Sequence, residues 1–479
     1  MIQYLITIGL ETHVQLKTAT KMFCGCSLAF GEEPNTTVCP VCMGYPGALP
    51  VMNREAVRLT VLSGLMLGCT ISRHSTFDRK NYFYPDMSKD YQISQNTHPL
   101  CLGGGVTIET PSGPKRIRIN HIHLEEDAAK INHYARFSGV DFNRCGTPLM
   151  EIVSEPDLAS PDEAMAYLQS LKQSLVYAGV SDCNLEEGNM RSDVNISVRP
   201  AGQEQLGTKV EIKNMNTFKG IYAALEYEIA RQLAVVKGGG TLVQETRRWE
   251  PELGETQSMR SKENAHDYRY FPEPDLVPVE LPEALVESWR AQLPEAPAAR
   301  RERMMAEYGI PAYDAGVLAD AKENADFFEA AARACKPGLG KTVSNWFMTE
   351  VMRLLSETGK SVGACALTPA ALAELVALVD DGVINGPTAK ELLPEVFAKG
   401  GSPRSIVNER GLAQVSDVSA LEAFIAQALA DNPKSVEDFR AGKKAAAGFL
   451  VGQVMKLSKG KADPKQVGRL VAERLAEGR

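Results

Sequence analysis

Nowhere does this chain approach the 18 or more consecutive apolar residues of a membrane span. Its most tempting run, Ala445 to Met455, is 11 residues and sits between Lys444 and Lys456. The first residues, Met1 to Ile8, have neither the basic start nor the small-residue cleavage site of a signal peptide. There is no internal repeat and no low-complexity tract, which excludes solenoid, collagen-like and linker classes. No histidine follows His266, so histidine chemistry is confined to the first part of the chain. The expectation is a cytoplasmic globular protein.

What is present is ordinary in bulk. The 479 residues are 44% hydrophobic and 23% charged, as in globular proteins generally. Such a length suits two to four domains at about 150 residues each. The distributions are less ordinary. Of ten cysteines, four fall between residues 24 and 42. In a chain without an export signal, clustered thiols point to metal rather than disulfides. The net charge is −8, yet residues 433–479 hold 11 basic against 5 acidic residues, leaving 41 against 55 elsewhere. Acidic bulk with a basic tail suggests a polyanionic partner held at one end.

Periodicity divides the chain. Val194, Ile196 and Val198 alternate with polar neighbours, as in a half-buried strand. Residues 116–124 and 209–213 read likewise. Ser160, Pro161 and Glu163 start a helix with the stripe Ala164, Leu168, Leu171, Leu175 and Ala178, stopped by Gly179. After a proline-studded stretch the pattern turns helical and alanine-rich, with a further break at Lys399-Gly400-Gly401-Ser402-Pro403. The expected fold class is α+β: a strand-rich domain over 1–293, a helical domain over 294–402 and a helical tail over 403–479.

Several constellations carry chemistry. Cys24-x-Cys26 and Cys39-x-x-Cys42 form a four-thiolate set suited to closed, structural zinc. The alternative is four free thiols brought near by chance. Glu11 and His13 share one face of a strand, either as a site or as an ordinary satisfied pair. His121, His123, Glu125, Glu126 and Asp127 add ligand-type groups, and Glu151 is a lone acid in an apolar run. Such groups could hold Mg²⁺, which prefers oxygen; a solvated strand end is the other reading. Phe77 to Asp86 mixes cations and rings, suiting phosphate and a base, or a strand of alternating buried aromatics. Asp193, Asn195, Lys209, Glu211, Lys213 and Asn214 make another polar set. Cys335 to Thr342 imitates a phosphate loop, but it lacks the first glycine and the preceding strand, so it reads as a turn between helices.

At this point a family resemblance becomes plain. Gly9 to Val14, Phe77 to Asp86, Tyr91 to Gln95, His123 to Asp127, Val153 to Asp157, Gly179 to Asp182, Lys209 to Asn214, Ala265 to Asp275 and Gly448 to Lys456 resemble the B-type chains of the glutamyl/aspartyl-tRNA amidotransferases. The resemblance runs nearly end to end. It implies a cradle, a helical middle and an RNA-binding helical tail, in a heterotrimer with an amidase chain and a small third chain. It implies that ATP phosphorylates the side chain of Glu-tRNA(Gln) or Asp-tRNA(Asn) and that ammonia from the amidase displaces phosphate. This chain has no Ser-Ser-Gly amidase signature and no Cys-His glutaminase set, so its ammonia should come from another chain. By resemblance, His13, Glu126 and Glu151 hold Mg²⁺ with Glu11 beside them. Lys80 and Lys89 neutralise phosphate, and Asp193 helps hold metal or substrate. Arg79, Lys80, Tyr82 and Lys213 are expected to bind ATP, and Cys24, Cys26, Cys39 and Cys42 structural Zn²⁺. Thr12 stands where a branched aliphatic is usual, and Asp90 where a small residue is commoner. The runner-up is a non-catalytic, zinc-containing tRNA-binding scaffold.

Overall fold

Strand Tyr4–Gln15 shows how the first unit is built. Ile8, Leu10, Thr12 and Val14 point into the core, while Glu11 and His13 point to the other side, as the two-residue period requires. Thr12 is tolerated in that core because its hydroxyl meets that of Ser192, 3.0 Å away on the neighbouring strand. In the computed structural model, residues 3–29, 31–185, 187–259, 268–414, 418–440, 443, 445–458 and 462–477 are described. Ala265 to Asp267, Lys444, Lys459, Lys461 and Arg479, all within segments discussed above, lie outside them.

Tyr4–Gln15 is central in a ten-stranded sheet. It runs antiparallel to Met190–Pro200 on one side and to Pro148–Ser154 on the other, and the latter pairs with Gly113–Glu126. Residues on helices Arg54–Met66, Pro161–Tyr177 and Phe218–Lys237 share one core with Ile8, Leu10, Ile122, Leu124, Ile152 and Val194. Helix Pro161–Tyr177 is capped by Ser160, whose side chain accepts from the Glu163 amide. Glu163 reaches back to the Ala159 amide at 2.8 Å, one residue before the N-cap. Ala164, Leu168, Leu171 and Leu175 are buried, and cutting one of these leucines to alanine should cost about 2–5 kcal/mol. A three-stranded sheet, Phe271–Pro272, Asp78–Asn81 and Tyr91–Ser94, carries the ring- and cation-rich segment.

The chain divides into units at Ala296/Pro297. The second is helical in its described residues and holds two apolar clusters, one spanning 304–407 and one spanning 421–475. The phosphate-loop lookalike is a turn between helices Lys322–Ala334 and Gly340–Trp346. The break near residue 400 separates Gly386–Lys399 from Pro403–Glu409. Among the described residues no helix is long and apolar enough to cross a membrane.

Candidate active site and metal centres

The strand order places three distant segments side by side. His13 lies directly opposite Glu151, and Glu151 opposite His123. Two residues past His123, on the same face, stands Glu125. The His13 Nε2 is 3.4 Å from a Glu125 carboxylate oxygen and 3.4 Å from one of Glu151. The His123 Nε2 is 3.4 Å from Glu151 and 3.7 Å from Glu125. His13, Glu125 and Glu151 each offer an atom within 4.8 Å of the others.

Two carboxylates this close repel unless something positive lies between or beside them. Burial pushes both toward the neutral form, but the imidazoles win. Glu125 is held below its usual range by His123 and His13, and Glu151 by His13 and His123. Burial also opposes charge on His13, and Glu151 and Glu125 raise its pKa nevertheless. The His13 Nδ1 is buried and finds no hydrogen-bond partner among the described residues. Glu11 is raised by burial and by the charge on Glu151, although Asn195 donates to it at 2.8 Å. Lys80 is half-buried; burial opposes its charge, but its pKa is raised, chiefly by the Glu125 carboxylate, with Tyr270, Tyr268 and Glu151 adding to it. Its Nζ stands 4.8 Å from the centre of the Tyr268 ring. The donor set of clustered carboxylates and imidazole fits a divalent cation, which would relieve the repulsion.

Glu126, expected beside the metal, does not join this set. Adjacent strand residues face opposite sides, so Glu126 points with Leu124 and Ile122 rather than with His123. It pairs with Lys89 at 2.6 Å and accepts the Ile93 amide at 3.0 Å. Lys89 is thereby committed to Glu126 and held cationic against burial. Both line a cavity of about 80 Å³ beside Lys21, Cys24 and Cys42. Asp90, just after, has φ +63°, a left-handed conformation that favours glycine and that aspartate tolerates. Sequence reasoning misses Glu125 as the partner of His13, although its i+2 relation to His123 is the signal that finds it.

The other expected residues scatter around this face. Asp193 lies opposite Glu11 in register, and Lys213 bridges it at 2.5 Å and Glu211 at 2.8 Å. Arg79 is bound to Glu273 and Asp275 and lies over the Tyr91 ring, 4.2 Å from its centre; it ties the three-stranded sheet together. Burial raises the Tyr82 phenol to about 12, and its ring leans on Tyr84. Asp127 pairs with Arg144 at 2.5 Å and Arg191 at 3.2 Å.

The four cysteines do converge. One sulfur from each of Cys24, Cys26, Cys39 and Cys42 lies within 4.8 Å of the others, the donor set of closed, structural zinc. Lys21, unmarked in the sequence, is fully buried, with its Nζ 3.6 Å from the Cys42 sulfur and 3.1 Å from the Phe142 carbonyl. A buried ammonium needs a counter-charge. Four thiolates around Zn²⁺ leave a net negative charge, so the cation fits a loaded cluster.

A family model described as "GatB/GatE catalytic domain" matches residues 6–287, and one described as "GatB domain" matches 326–475. Curated relatives match along their full length. The B-type chain of the aspartyl/glutamyl-tRNA(Asn/Gln) amidotransferase of Caldanaerobacter subterraneus subsp. tengcongensis is 53% identical over 476 residues, covering 99% of this chain and 100% of that one. Its namesake in Carboxydothermus hydrogenoformans is 49% identical over 482 residues, 100% of both.

Proposed function

Since the chain belongs to the GatB/GatE family, we propose that it is the transamidating member of a glutamine-dependent carbon–nitrogen ligase that makes Gln-tRNA, Asn-tRNA or both. The observation that carries this reading is the convergence of His13, Glu125 and Glu151 with Lys80 in electrostatic reach. A free carboxylate is a poor acyl donor, because its oxygen is a poor leaving group until it carries phosphate. An oxygen of the tRNA-bound Glu or Asp side chain attacks the γ-phosphorus of ATP, and the bond to ADP breaks. Ammonia then attacks the activated carbonyl carbon, phosphate leaves with its oxygen, and the nitrogen sheds a proton.

A divalent cation bound by His13, Glu125 and Glu151 would neutralise phosphate charge, the main demand of phosphoryl transfer. The rest belongs to the chain. Lys80 supplies fixed positive charge, and Glu11, Asn195, Asp193 and Lys213 extend the polar face on which the side chain is oriented. The four-cysteine module holds structural Zn²⁺. Ammonia comes from a partner amidase, and a small third polypeptide completes the complex. The basic tail contacts tRNA away from its acceptor end, through backbone and shape. Deleting residues from about Ser402 should raise KM for aminoacyl-tRNA and flatten its salt dependence.

The test uses the complex assembled with its partner chains. Glu125→Gln and His13→Ala should lower tRNA-dependent ATP cleavage by about a hundredfold or more while glutamine hydrolysis by the partner persists. Full amide formation by both variants would overturn the reading in favour of a non-catalytic scaffold.

A further inference from the structure

The segment 128–140 contains no acidic residue, in a chain of net charge −8, and it carries Lys130, His133 and Arg136. It folds as a hairpin of Lys130–His133 and Ser138–Asp141, pairing with no other described strand. Its tip presents two aromatic side chains to solvent: Tyr134 is 57% exposed and Phe137 65% exposed. Their rings stack with centres 4.7 Å apart and planes 28° from parallel.

An isolated two-stranded hairpin is marginal in water, so this one is braced at its base. Asn35, in the loop between the cysteine pairs, donates to the Val140 carbonyl at 3.0 Å and accepts the Phe142 amide at 2.7 Å. Asn143 donates to the Glu33 carbonyl at 2.7 Å. Asp127 and Arg144 clamp the two legs. The hairpin thus springs directly from the strand end that carries Glu125, and Tyr134 is seven residues beyond Asp127, at most about 25 Å of extended chain. Two open rings with Arg136 between them, on a braced support, belong to none of the apolar core clusters.

We propose that Tyr134 and Phe137 form a stacking platform for an unpaired base near the 3′ end of the aminoacyl-tRNA, with Arg136 on the adjoining phosphate. This rests on the function proposed above. Ring faces accept any base, and cations favour the backbone beside it. A protein partner is the less favoured occupant, because the one fully charged side chain between the two rings, Arg136, is a cation and no acidic residue lies between His133 and Gly139.

The experiment uses the assembled complex, with ammonium as nitrogen donor. The double variant Tyr134→Ala/Phe137→Ala should raise KM for aminoacyl-tRNA about tenfold, the loss of one stacked base, with kcat at saturating tRNA nearly unchanged. Tyr134→Phe and Phe137→Tyr, which keep the rings, should retain the original KM. A competitor tRNA trimmed of its unpaired 3′ nucleotides should bind the unsubstituted complex more weakly than intact tRNA, and bind the double variant no more weakly than intact tRNA does. An unchanged KM in the double variant overturns the platform. So does dissociation of the complex on gel filtration with tRNA affinity intact, which would make the tip a protein contact. Failure of the catalytic reading is distinguishable: the unsubstituted complex would then cleave no ATP, while the trimmed-tRNA comparison would still report base stacking.

Discussion

The first unit gathers ligating side chains twice, and by different means. The cysteine set is local: two short loops 12 residues apart bring four sulfurs together. Lys21, which faces it with a positive charge, lies three residues before the first cysteine. The carboxylate–imidazole set is non-local, drawing His13, Glu125 and Glu151 from three strands. The local set is closed, with four sulfurs and no position to spare. The non-local set is crowded with charge, bordered by Lys80 and Glu11, and faces away from the helix-packed core. A closed set suits stability and a charged, bordered one suits chemistry.

The largest effect should separate the two carboxylates of the same strand. Glu125→Gln removes a member of the cation set and should lower tRNA-dependent ATP cleavage by about a hundredfold or more. Glu126→Gln removes a partner of Lys89 and should leave binding of Mn²⁺ to the carboxylate set unchanged, as read by electron paramagnetic resonance. If Glu126→Gln abolishes Mn²⁺ binding and Glu125→Gln does not, the register argument fails.

Next in size is the loss of the local set. Elemental analysis should find one zinc per chain, and Cys39→Ser should lower Tm by about 5 °C. Zinc-free protein of unchanged Tm would show that the cysteine set has no structural task. Smaller still is the effect of its buried cation. Lys21→Met keeps the stem and removes the charge facing the thiolates, so zinc should pass to a chelator about tenfold faster. Equal release rates would mean that Lys21 merely fills space.

The smallest effect concerns pH. Burial and then the neighbouring His123 pull His121 from its ordinary 6.5 down to about 4. Between those values the unfolded chain binds a proton that the folded chain refuses. Its contribution to stability is therefore full above about pH 6.5 and lost as pH falls toward 4. Between pH 7 and pH 5, His121→Gln should lose less Tm than the unsubstituted protein, by about 2 °C. Parallel losses would show that His121 takes up its proton alike in both states.

The sequence by itself determined the elements and their punctuation: the cap at Ser160, the turn at Cys335 to Thr342, the alternating strand around Val194, and the four-cysteine set. Each depends on neighbours a few residues apart, so local chemistry suffices. It also showed which segments carry ligating groups. Only the tertiary structure decided which of those groups meet. Glu125 and Glu126 are adjacent and chemically alike, and the choice between them depends on the pairing of Pro148–Ser154 with both Tyr4–Gln15 and Gly113–Glu126. A shift of one residue in that register would turn Glu126 toward His13 and bury Glu125 against Lys89. Nor could spacing place Lys21 against Cys42 or commit Arg79 to Glu273, because those partners are set by packing between distant segments. Periodicity says that a strand has two faces; the strands beside it decide which face receives the site.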